Sequence, residues 1–182
     1  MHPRLAELTD DLARQRAALL AAIAAIPAED LERRAAPDGW SVAEVVDHLS
    51  LVESGTARLL AKRAARAREA GCGPETRTDS VRGCMDRWSV VDTPARFQAP
   101  EAVRPRAGVT MEAALGALQA AREALLATIR EVDGLDLTAV TAMHPAFGEL
   151  DAYQWIVSTA QHEARHLRQI DAIAASLRAT AA

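Results

Sequence analysis

The sequence predicts an all-α protein, a four-helix bundle with a long crossover between helices 2 and 3. The composition is rich in the helix-forming residues Ala, Leu, Glu and Arg, while aromatic residues make up only 3% of the chain. Four long segments also carry apolar residues at intervals of three and four, which is the period of one helical face. At 182 residues the chain is long enough for one core, so we expect a single domain spanning residues 1–182.

The first two helices have clear sequence boundaries. Leucines and isoleucines share one helical face over residues 5–26, and Pro27 ends that segment. Ser41 and Glu44 form the S-x-x-E pattern of a capping box, in which a hydroxyl and a carboxylate bond to backbone N–H groups of the first turn. The second helix is therefore predicted to begin at Ser41, and we expect it to continue to Gly71.

The second half of the chain predicts two further helices. Thr110 can cap a third helix that ends at Gly134, and Asp151 with Gln154 can cap a fourth. Residues 71–108 show only weak periodicity, which indicates a long connection rather than a core element. No part of the sequence has the alternating pattern that predicts a β-strand.

Three histidines stand out on the predicted inner faces of helices 2 and 4. His162 and His166 are four residues apart, so their side chains leave the helix on the same side, one turn apart. They share the apolar stripe of Trp155 and Ile173, where two unpaired imidazoles would bear a desolvation penalty. His48 occupies the corresponding inner face of helix 2, and a bundle can bring it opposite the pair.

These three side chains have the chemistry of a metal site. Neutral imidazole binds Zn, Ni, Fe or Cu, and three protein ligands leave coordination positions for water or substrate. We therefore predict that His48, His162 and His166 bind one divalent metal, with Zn or Ni the expected ion. An open site of this kind is typical of catalytic rather than structural metals.

The segment HEARH also fits the H-E-x-x-H pattern of zinc proteases, in which Glu163 would be the general base. Such proteases take a third ligand farther along the chain, but after His166 the sequence has no histidine and only Asp171 as an acidic residue. A protease is therefore disfavoured. We expect Glu163 to form an outward ion pair or a contact behind the metal ligands, since it points about 100 degrees away from His162 on a helix.

The segments GWSVAEVVDHLSLVE and HPAFGELDAYQWIVSTAQHEARHLRQI resemble the DinB-like superfamily of metalloenzymes, and this resemblance spans the whole chain. It implies a DinB/YfiT-like four-helix bundle with a long connection between helices 2 and 3. It also implies that His48 is the first metal ligand and that His162 and His166 are the second and third. The family includes transferases and isomerases that use low-molecular-weight thiols such as bacillithiol or mycothiol.

The predicted site leaves three functions open. The first is a thiol-dependent transferase or isomerase, in which the metal activates a small thiol to attack a small-molecule substrate. The second is a hydrolase, in which the metal activates water. The third is a module without catalysis that binds a metal or small molecule and pairs as a homodimer.

Five further residues are functional candidates. His144 precedes Pro145 in a predicted loop, where a loop or capping role is favoured, and it is left outside the metal site. Arg122 interrupts the apolar stripe of helix 3, where it can either meet a substrate carboxylate or extend its head group to solvent, and we favour the second. Gln169 either orients a ligand or lies at the margin of the bundle. Cys72 and Cys84 are expected to be free, reduced thiols.

Charge and hydropathy exclude other classes of function. The formal net charge is -4, and no basic run is interleaved with aromatic residues, so nucleic-acid binding is not expected. The N-terminal segment lacks the apolar core of a signal peptide, and no apolar stretch has the length of a membrane span. We therefore expect a cytoplasmic protein.

Overall fold

The computed structural model describes residues 1–92 and 98–181, and in it four long helices form a bundle. They are α1 (Pro3–Ala24), α2 (Val42–Glu69), α3 (Met111–Glu131) and α4 (Ala152–Ala181). Helix α2 packs along α3, α1 packs along α4, and α2 also contacts α4. The predicted four-helix bundle is confirmed. Within the described ranges, no helix is long and apolar enough to cross a membrane.

The predicted helix caps are present at the starts of α2 and α4. The Ser41 hydroxyl accepts a hydrogen bond from the Glu44 backbone N–H at 3.2 Å, and the Glu44 carboxylate accepts one from the Ser41 N–H at 2.8 Å. Asp151 and Gln154 exchange the same pair of bonds at 2.9 and 3.0 Å. These caps satisfy amides that have no partner within the helix, so they fix where each helix begins.

A short β-hairpin precedes α4, where no strand was predicted. Strand β1 (Thr141–His144) pairs antiparallel with β2 (Gly148–Asp151). Each strand has four residues, which is too short for an alternating pattern to be recognised in the sequence. Gly148 has a φ of +80°, a conformation that glycine adopts without strain, and it closes the turn.

The long crossover between α2 and α3 contains two 3₁₀ helices, Arg82–Trp88 and Glu101–Val103. Met85 in the first is fully buried in the bundle core, and the Trp88 ring lies 5.8 Å from that of Phe147. This segment is a long connection, as predicted, but it also contributes Met85 to the core. The second 3₁₀ helix lies against α2.

Each of the four helices contributes one buried charged side chain to an ionic cluster in the bundle core. We call Arg16, Glu53, Arg122 and Glu163 the core ion cluster. Arg16 pairs with Glu53 at 2.7 Å and with Glu163 at 3.0 Å. Arg122 pairs with Glu163 at 2.8 Å and also with Glu53. Each arginine thus bridges both carboxylates, and the formal charges of the cluster sum to zero.

The core ion cluster lies between two apolar layers of the bundle. Along α1, Arg16 lies between Leu12 of one layer and Leu19 of the other. In α2, α3 and α4 the charged residue likewise lies between a residue of one layer and a residue of the other. Arg16 also donates to the backbone carbonyl of Leu118 at 3.3 Å, and Arg122 donates to that of Leu12 at 2.6 Å. These bonds tie α1 to α3, because guanidinium groups have enough donors to serve both carboxylates and carbonyls.

Two expectations drawn from the sequence are wrong at this cluster. Arg122 does not reach solvent, since only 6% of the residue is exposed. Glu163 forms an ion pair as expected, but the pair faces inward, and Glu163 is 2% exposed. Both side chains are retained in the core because each has an oppositely charged partner there, without which burial of a charge is prohibitive.

We predict that Arg122→Met lowers the free energy of unfolding by about 3–5 kcal/mol, because the change leaves two buried carboxylates with only Arg16 as a cationic partner. Urea denaturation of the metal-free protein measures this effect. Arg14→Met is the matched control, since the Arg14 side chain is 63% exposed and pairs with Asp11 at the surface, so its loss should change stability by less than about 1 kcal/mol. Equal stability of the two variants would contradict the structural role of the cluster.

Candidate metal centre

The three predicted histidines meet in one place. His48 lies near the start of α2, while His162 and His166 lie one turn apart on α4. The Nε2 atom of His162 is 3.4 Å from Nε2 of His48 and 3.1 Å from Nε2 of His166. All three candidate ligand atoms lie within 4.8 Å of one another. The bundle therefore produces the juxtaposition that the spacing predicted.

Hydrogen bonds on the far side of two rings determine which nitrogens carry protons. Nδ1 of His48 is 2.6 Å from the backbone carbonyl oxygen of Val103, and Nδ1 of His166 is 2.7 Å from Oε1 of Gln169. An oxygen of this kind can only accept, so each Nδ1 must donate its proton. In a neutral imidazole this leaves a lone pair on Nε2. The Nε2 atoms of His48 and His166 therefore have the lone pair that a metal ligand needs.

A divalent ion fits this arrangement. A proton on Nε2 of His162 can serve only one of the two neighbouring lone pairs, at 3.4 or 3.1 Å, whereas a single cation can serve all three nitrogens. Zinc binds histidine nitrogen at about 2.0–2.1 Å in tetrahedral sites, which separates two ligand nitrogens by about 3.3 Å. The two separations that involve His162 agree with that value. The donor set also suits Zn or Ni, since both bind neutral imidazole.

The surroundings keep all three rings neutral. Burial lowers the pKa of His162 well below its ordinary value, and the nearby His166 and His48 lower it further. Burial, with a contribution from His48, lowers the pKa of His166 to about 4. Burial lowers the pKa of His48, although its bond to the Val103 carbonyl acts in the opposite direction. Since only neutral imidazole binds a metal, the site is ready to bind one at neutral pH.

Asp47 and Arg106, neither of which was predicted from the sequence, hold the crossover against the site. Asp47 is fully buried and accepts from the Arg106 backbone N–H at 2.8 Å and from its guanidinium at 2.6 Å. This ion pair anchors the chain three residues after Val103, whose carbonyl orients His48. The signal in the sequence was a lone aspartate in the apolar run before His48.

Trp40 forms one wall of the site, although the sequence suggested only a core anchor. Its ring lies 5.0 Å from that of His48 and 6.5 Å from that of His166, nearly parallel to the latter. His48 is 4% exposed, whereas His162 is partly exposed. The indole and His48 thus form the buried side of the site, and His162 lies on its more exposed side.

Gln169, Glu163 and His144, the other candidate residues near the histidines in sequence or motif, have three different surroundings in the structure. Gln169 accepts the Nδ1 proton of His166, so of its two interpretations the contact supports the one in which it orients the His166 ring. Glu163 belongs to the core ion cluster, where both of its oxygens are paired with arginines. Its carboxylate therefore already has partners other than the histidines. His144 ends β1 and lies outside the group of three histidines.

The two cysteines are free thiols, as expected. Burial, reinforced by the nearby carboxylate of Asp151, raises the pKa of Cys84 to about 12. The protonated thiol is a poor nucleophile and a poor metal ligand. Cys84 is therefore not a candidate for either role.

Comparisons with known proteins agree with the fold. Residues 11–170 match the family model described as the DinB superfamily. The uncharacterized protein YuaE of Bacillus subtilis (strain 168) is 28% identical over 145 residues, which cover 80% of this chain and 83% of that protein. The crystal structure of TT2238, a four-helix bundle protein, superposes with a TM-score of 0.63 at 25% identity, covering 92% of this chain and 98% of that one.

We predict that the metal-free protein loses stability as the pH falls from about 6.5 towards 4. In that window the histidines of the unfolded chain, with pKa values of about 6.5, take up protons that folded His166, with a pKa of about 4, does not. The free energy of unfolding should therefore decrease with decreasing pH, and the slope should be shallower in His166→Phe. Urea denaturation at several pH values measures both slopes. Identical slopes in the two proteins would contradict the depressed pKa.

Proposed function

This chain belongs to the DinB superfamily, and we propose that it is an enzyme that uses one divalent metal, Zn or Ni, on His48, His162 and His166 to act on a small molecule. We further propose that a low-molecular-weight thiol is its co-substrate, as in the thiol-dependent transferases and isomerases of the family that the sequence resembles. Homodimer formation and a cytoplasmic location stay predictions.

One observation carries the metal-dependent part of the proposal. Three Nε2 atoms converge, and those of His48 and His166 have a lone pair because Nδ1 of each ring donates to an oxygen acceptor. A proton on Nε2 of His162 can satisfy only one of these two lone pairs, at 3.4 or 3.1 Å. A single bound cation would satisfy all three nitrogens at once.

The site is also suited to a reaction rather than to a purely structural ion. Structural zinc sites are closed by four protein ligands, whereas catalytic sites have three and leave a position for substrate. The described residues offer three histidines, of which His162 is partly exposed. A divalent ion at this position would lower the pKa of a coordinated thiol, so that the thiolate is present at neutral pH.

The position of Glu163 favours thiol chemistry over hydrolysis. A hydrolase that follows the H-E-x-x-H pattern needs this carboxylate free to accept a proton from water. Here its two oxygens accept from Arg16 and Arg122 in the core. A thiol needs less help from a general base, because its pKa of about 8.5 is already near neutral and metal binding lowers it further.

We predict that protein purified without an affinity tag carries or takes up close to one Zn or Ni per chain and that His162→Ala loses it. The change removes the ligand that contacts both other histidines. Elemental analysis of the dialysed proteins measures metal per chain. His144→Ala is the matched control, since His144 lies outside the group of three, and its occupancy should equal that of the wild type. Full occupancy of His162→Ala would refute the proposed site.

We also predict metal-dependent transfer of a small thiol to an electrophile. With 2-mercaptoethanol and 1-chloro-2,4-dinitrobenzene, the sulfur forms a bond to the ring carbon, chloride leaves and the thiol proton passes to solvent. The Zn-loaded protein should accelerate this reaction, and His162→Ala treated with the same metal should not. Absorbance of the thioether product gives the rate. Metal occupancy without any thiol-dependent rate would favour the binding module instead.

A further inference from the structure

His144 is held in a defined orientation beside the candidate metal centre. It is the last residue of β1, in the hairpin that leads directly into α4. Its ring stacks on that of Phe147 at 4.5 Å and 15°, and it lies 4.8 Å from the ring of Trp155. Trp155 in turn donates its indole N–H to the carbonyl of Ala142 in the hairpin, at 3.4 Å. The imidazole thus contacts two aromatic rings and is partly exposed.

The proton of His144 lies on the opposite nitrogen from those of His48 and His166. Its Nδ1 accepts the backbone N–H of Ala146 at 3.1 Å, so in the neutral ring the proton is on Nε2. Burial lowers the pKa of His144, which keeps the ring neutral at physiological pH. His144 therefore presents a hydrogen-bond donor, while the metal-site histidines present lone pairs.

The donor and the candidate metal centre lie on the same side of α4. Trp155, which contacts His144, is seven residues before His162, which is two helical turns and about 10 Å along the axis on the same face. His144 is also close enough to His162 to disfavour its protonation electrostatically. A small molecule bound at the histidines can therefore extend along α4 towards His144.

We infer that the Nε2–H of His144 binds a carbonyl or carboxylate oxygen of the substrate, at the end distant from the metal. The inference rests on the proposed metal-dependent function and names its substrate class. This class is a small molecule with a donor atom for the metal, an apolar body that lies against Trp155, and an oxygen acceptor at its opposite end.

The test uses the Co²⁺-loaded protein, because a thiol that binds cobalt produces a sulfur-to-cobalt absorption band that is independent of any reaction. One probe is 6-mercaptohexanoate, whose carboxylate can reach His144, and the other is 6-aminohexane-1-thiol, whose ammonium cannot accept a hydrogen bond. The dissociation constant of each is measured from the band. We expect the wild type to bind 6-mercaptohexanoate at least about tenfold more tightly, as a hydrogen bond to a charged group implies.

Two variants assign this preference to the His144 donor. His144→Phe preserves an aromatic ring between Phe147 and Trp155 but has no N–H, so it should bind the two thiols equally. His144→Gln places an amide N–H near the position of Nε2 and should recover part of the preference. A preference that survives unchanged in His144→Phe would overturn the inference and leave a packing role for the ring.

The outcomes also separate this inference from the proposed function. If both thiols produce the cobalt band and the wild type binds them with equal affinity, the role of His144 is overturned, whereas an open metal site is still supported. Failure of every thiol to produce a band in the Co²⁺-loaded wild type would overturn the thiol-dependent function, and the inference with it.

Discussion

The core ion cluster is the constraint on which the rest of this structure depends. Arg16, Glu53, Arg122 and Glu163 come from four different helices, and each must face the centre of the bundle to find its partners. Apolar side chains tolerate a modest rotation of a helix, whereas a buried charge that loses its partner is costly. The cluster therefore selects one rotation for each helix. Because Glu163 is adjacent to His162, and Glu53 is five residues after His48, that rotation also directs the histidines.

The position of the histidines in the candidate metal centre and their protonation state have different origins. The histidines are placed by helix geometry, whereas their protonation state is set by groups from elsewhere, which are the carbonyl of Val103 for His48 and the amide of Gln169 for His166. The crossover thus completes the site instead of merely joining two helices. Its hold on α2 comes from the ion pair of buried Asp47 with Arg106.

Much of the fold could be predicted from the sequence because it depends on local signals. The capping pairs at Ser41 and Asp151 and the periodic apolar faces are local, and so is the four-residue spacing of His162 and His166. The core ion cluster could not be predicted with the same ease. A charge on an apolar stripe, such as Arg122, has a solvent-facing and a buried solution, and the choice depends on partners distant in sequence. The hairpin was missed because four-residue strands carry too little pattern.

The bond between His48 and Val103 uses a main-chain oxygen, and every residue type has one. Position 103 can therefore change its side chain without losing the acceptor. The contact does not restrict the residue type there, so it cannot be recognised from a sequence motif. The same property makes the position attractive for engineering. Substitutions at Val103 would alter the surface of the crossover next to the site, while the backbone carbonyl would still orient His48.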